Sequence, residues 1–76
     1  MATLASNKSH SWEKNSHTKL EFSWPDPNKP GDGKVSVKLG DAPAHSYSVP
    51  QADIAVDNKA GKLTNNTTKT INYTLS

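Results

Sequence analysis

The stretch TKLEFSW (residues 18–24) decides the fold class. Leu20, Phe22 and Trp24 fall on one side of an extended chain, and Lys19, Glu21 and Ser23 on the other, because successive strand side chains point to opposite faces. Alternation this strict predicts a half-buried strand, and Pro25 ends it because proline has no N–H to give to a ladder. The pattern returns in KVSVKLG (34–40), with Val35, Val37 and Leu39 inward. Between the two lies PDPNKPGDG (25–33), whose three prolines and two glycines make it a loop. The two strands are expected to form a hairpin or to face each other across a sandwich.

Toward the C-terminus the signal stays β. HSYSV (45–49) places Tyr47 and Val49 on one side before Pro50 stops it. In ADIAV (52–56), Ile54 and Val56 favour a strand, with a helical turn opened at Pro50 as the alternative. A turn over 57–61 leads into Lys62 and Leu63, and Asn65 with Asn66 predicts another turn. In the closing TINYTLS (70–76), Ile71, Tyr73 and Leu75 alternate with polar residues. Apolar residues nowhere recur at helical spacing, so no long helix is expected. Five to seven short strands joined by turns predict an all-β fold, a small antiparallel immunoglobulin-like β-sandwich, with a five-stranded OB-like barrel as the alternative.

Toward the N-terminus the pattern fades. MATLASNKSHSWEKNS (1–16) is polar, with only Leu4 and Trp12 large and apolar. It reads as a flexible arm that could hold one edge strand around Trp12, ahead of a single domain over 17–76.

Composition narrows the function classes. A chain of 76 residues, 32% of them hydrophobic, sits near the size at which one core barely sustains folding. A protein partner or self-association that covers more apolar surface is therefore expected. With no cysteine, disulfides and thiolate metal sites are out. Nine lysines, no arginine and a net charge of +2 argue against specific nucleic-acid recognition, which leans on bidentate arginine. Adhesion to anionic surfaces stays open. No stretch is long enough to span a membrane as a helix, and the N-terminus lacks the apolar core of a signal peptide. An extracellular, cell-surface or virion setting is mildly favoured.

Catalytic signatures are missing. There is no Gly-x-Ser-x-Gly elbow, no phosphate-binding glycine loop and no carboxylate pair in an evident pocket, so no enzyme and no cofactor are expected. Asp26, Asn28 and Asp32 echo the start of a calcium loop, but its fifth position is Pro30 and its twelfth Val37. They remain weak metal candidates beside the reading of a Pro/Gly turn with solvated acids. His10, His17 and His45 lack partners at ligand spacing and are expected to be exposed.

Four aromatic residues are the candidate binding residues, as arm anchor or ligand platform: Trp12, Trp24, Tyr47 and Tyr73. Trp24, Tyr47 and Tyr73 are in phase with core positions. Trp12 stands alone in a polar stretch, and either docks onto the domain or anchors the arm elsewhere. Asn7, Asn65, Asn66 and Asn72 each begin an Asn-x-Ser/Thr triplet, which composition alone produces in an Asn/Thr-rich chain. The last strand, 68–76, is guarded only by Lys69 and reads as an open edge. The functional expectation is a non-catalytic interaction or assembly module, such as a surface, pilus or virion component, working through strand or arm exchange. The alternative is a small carbohydrate-binding, lectin-like domain that uses exposed aromatics on a glycan.

Overall fold

A computed structural model describes residues 2–76. The described chain is all-β, with eight strands and no helix: β1 (Ala2–Leu4), β2 (Ser9–Trp12), β3 (Lys19–Ser23), β4 (Val35–Leu39), β5 (His45–Tyr47), β6 (Gln51–Ala55), β7 (Gly61–Asn65) and β8 (Ile71–Leu75). They form two four-stranded sheets, ordered β1-β8-β3-β6 and β2-β7-β4-β5. Every pairing is antiparallel. The two sheets remain separate, so the five-stranded barrel does not hold.

The alternation in the sequence decides which face of each strand turns inward. On the first sheet, Leu20 stands opposite Ile54 and Leu75, and Phe22 opposite Tyr73. On the second, Val35 and Val37 stand opposite Asn65 and Leu63. Leu20, Val35, Val56, Leu63 and Ile71 are fully buried between the layers. Each such side chain contributes roughly 1.5–3 kcal/mol by leaving water. Leu39, Tyr47, Val49 and Leu75 close the margins of this core.

β3 and β4 lie in opposite sheets, so of the two arrangements expected for them the sandwich applies and the hairpin does not. Residues 51–55 form a strand, not a helical turn. Opposite Glu21 the β6 strand bulges, with the register shifting between Leu20 and Phe22 and Asp53 at φ 58°. A bulge of this kind twists an edge strand and spoils it as a template for further pairing.

Two expectations are corrected. The described part of the 1–16 segment is not a free arm: β1 pairs with β8 and β2 with β7, so it supplies one edge strand to each sheet. Leu4 and Trp12 are buried, because two well-spaced apolar anchors suffice to hold a short segment even without periodic patterning. Met1 lies outside the described residues. The last strand is not an edge either. β8 runs between β1 and β3, and β1 satisfies the backbone groups that would otherwise be open.

Candidate functional site

The N-terminal segment crosses from one sheet to the other along a single side of the sandwich. Its two anchors are held differently. Trp12 lies on Gly61, its register partner across the β2–β7 ladder. A Cβ at Gly61 would stand 2.7 Å from Trp12 Cε2 and 2.9 Å from the Lys38 carbonyl oxygen. Only glycine therefore leaves room for the indole at this position. The Trp12 Nε1–H donates to the Lys59 carbonyl at 3.0 Å, which satisfies the one polar atom of a ring that is otherwise buried. Of the two roles open to Trp12, docking onto its own domain is the one realised.

Leu4 is held through its own backbone carbonyl. Asn65, fully buried at the end of β7, donates from Nδ2 to the Leu4 carbonyl at 2.9 Å and to the Lys69 carbonyl at 2.8 Å. Its Oδ1 accepts from the Thr67 N–H at 3.0 Å and the Thr67 hydroxyl at 2.6 Å. The one proton of the Thr67 hydroxyl is shared with the Lys69 carbonyl, which lies 2.8 Å from Oγ1. The Asn65 backbone joins in, its carbonyl accepting from the Asn7 N–H at 2.7 Å and its N–H donating to the Lys8 carbonyl at 2.9 Å. Among the described residues no buried side-chain polar atom is left without a partner. The pair Asn65–Thr67 thus clasps the β7–β8 loop to the N-terminal segment. Of the four Asn-x-Ser/Thr triplets, the one starting at Asn65 has its amide committed inside the protein.

The other aromatics also turn inward. Tyr73 is buried on β8 and meets the half-buried His10 of β2, with ring centroids 5.2 Å apart. His10 is thus drawn between the sheets, contrary to the exposure expected of it; the polar sequence around it hid its inward phase with Trp12. His10 and His17 line the same lateral opening with Ala2 and Tyr73. Among the described residues, no three His, Cys, Asp or Glu side chains gather as a metal set. Tyr47, half-buried, packs edge-on to Phe22 at 6.4 Å.

Trp24 is 9% exposed and offers its rim to a shallow cleft with Pro25, Asp26, Lys29, Thr68 and Lys69. The Lys69 ammonium closes one side of this cleft by donating to the Lys29 carbonyl at 3.1 Å. In the loop that follows, Asp26 Oδ1 accepts the Asn28 N–H at 3.0 Å, a local turn in which an aspartate holds the backbone two residues on. The Asp32 backbone is tied to Thr68, its N–H donating to Oγ1 at 3.0 Å and its carbonyl accepting the Thr68 N–H at 2.9 Å. The calcium-like residues are thus placed as parts of a braced turn.

Comparison with protein-family models, with curated proteins and with solved structures returned no match. The functional reading rests on the chain's own chemistry.

Proposed function

We propose that this domain is a non-catalytic interaction module that assembles with copies of itself by exchanging its N-terminal segment. The observation that carries the reading is the way this segment is attached. Residues 2–12 contribute an edge strand to both sheets and two buried anchors, yet only the short stretch 13–18 joins them to β3. Within that stretch Asn15 turns the chain at φ 64°, and its N–H donates to the Asn58 carbonyl at 2.6 Å. A segment that docks by such anchors can dock equally in a second copy, because exchange reproduces every contact and adds only the change in linker path. The slot it leaves would expose the edges of β7 and β8, which favours refilling by another strand.

The immunoglobulin-like description belongs to the same reading. Strands β3 and β4 cross between sheets, as do β6 and β7, with β3 beside β6 and β4 beside β7. That matches the pairing of strands B with E and C with F in immunoglobulin sandwiches, whereas β8 departs from it by joining the sheet of β3. The lectin-like alternative has less to stand on, since Trp12, Trp24 and Tyr73 are buried and stacking on a sugar needs an open ring face. What remains for it is the Trp24 cleft.

Sedimentation velocity from micromolar to millimolar concentration tests the proposal. A dimer population that grows with concentration is the expected result. A full-length chain that stays monomeric over the whole range contradicts it.

A further inference from the structure

The outer face of the second sheet carries an arrangement that the fold does not need. Lys38 of β4 and Lys62 of β7 stand directly opposite each other, and both are exposed. Like charges at directly opposed strand positions repel and destabilise the ladder. Lys34, exposed and in the same outward phase as Ser36 and Lys38, extends the charge along β4. The next row is made of hydroxyls alone: Ser9 opposes Thr64, Thr64 opposes Ser36, and Ser36 opposes Ser46. One row thus crosses all four strands, at the roughly 4.8 Å strand spacing of a sheet. Acids begin only beyond the strand ends, at Glu13, Asp32 and Asp41.

We propose that this face is a docking surface for a linear anionic polysaccharide, one whose sugars bear carboxylate or sulfate groups. The charges of such a chain would relieve the Lys38–Lys62 repulsion, and its remaining hydroxyls would find donors and acceptors along the serine and threonine row. The face is less suited to other polyanions. It has no aromatic ring on which a base could stack and no arginine to grip phosphate bidentately. Nor does it carry an apolar side chain that could enter a lipid layer. Of this face only Ser9 lies on the exchanging segment, and the Lys38–Lys62 pair lies on β4 and β7 outside it, so the two proposals are tested separately.

The test is titration of the full chain with dextran sulfate and with polygalacturonate. Neutral dextran serves as the blank, and single-stranded DNA and phosphatidylserine vesicles as the rival anions. The expected result is salt-sensitive binding of the two acidic polysaccharides and none of neutral dextran. Lys38→Glu is expected to weaken it by about tenfold or more, since contact-distance attraction becomes repulsion. The same variant should melt no lower than the parent, because it turns a like-charged pair into a complementary one. Lys19→Gln, which removes a charge from the opposite sheet, should bind as the parent does. The proposal is overturned if neither acidic polysaccharide binds, if Lys38→Glu binds undiminished, or if Lys19→Gln loses as much. Tighter binding of DNA or vesicles than of both polysaccharides overturns it too.

Discussion

Asn65→Asp is expected to lower the melting temperature by more than about 15 °C, on a scale of roughly 4–8 °C per kcal/mol for a domain this small. The exchange keeps the shape and removes two donors. The Leu4 and Lys69 carbonyls, now served by Nδ2, would face an oxygen instead. A buried polar group left without its partner costs about 1–3 kcal/mol, and a charged one costs more. Burial would raise the pKa of the introduced carboxyl above its unfolded value of about 3.9. The penalty is therefore smallest below that pH and grows as the pH rises toward the folded value. Asn66→Asp, one residue on and exposed, should change stability by less than about 0.5 kcal/mol. Thermal melts of the two variants followed by circular dichroism separate the buried clasp from a general intolerance of acid in this loop.

The second large effect is expected at Trp12. Trp12→Ala should cost about 3–5 kcal/mol, the range for emptying an aromatic site in a core. A domain of this length has a total stability of only roughly 4–11 kcal/mol, so much of the population would unfold at physiological temperature. The chain would also lose the hydrogen bond to Lys59. Gly61→Val approaches the same site from the other side. The added Cβ would meet the indole, so Trp12 must leave its seat while remaining in the chain. Red-shifted, more readily quenched tryptophan emission in Gly61→Val marks that displacement, and unchanged emission contradicts the seating described.

The core was readable from the sequence where alternation was strong. Leu20 with Phe22, Val35 with Val37 and Ile71 with Tyr73 all point inward as their period-two spacing requires. The sheet order was not readable, because all connections but the β4–β5 hairpin pass from one sheet to the other, and local patterning carries no record of that. Of the N-terminal strands, β2 is the edge strand allowed for around Trp12, while β1 and the docking of the whole segment were missed for a related reason. Leu4 and Trp12 are eight positions apart with no large apolar residue between them, and their partners, Asn65 and Gly61, are remote in sequence. One local sign was available: Gly61 heads a strand, where glycine often marks the close approach of another group. Asn65 was read as a turn residue from its composition, and its buried network depends on a carbonyl more than sixty residues away. Of the four aromatics singled out, Trp24 and Tyr73 take the buried places that their phase implied, and Tyr47 is half-buried. Only Trp12 could not be placed from the sequence.

The most direct test of exchange is to shorten the tether. Deleting Lys14, Asn15 and Ser16 leaves three residues between β2 and β3, too few for an easy return across the sandwich, at about 3.3–3.6 Å of reach per extended residue. Sedimentation velocity on this variant is the measurement, with tryptophan emission read on the same sample. If the segment can dock in a second copy, the variant runs as a discrete dimer with both tryptophans still buried. A folded monomer with Trp12 exposed to solvent contradicts exchange, because the slot would then stand empty beside a segment free to fill it.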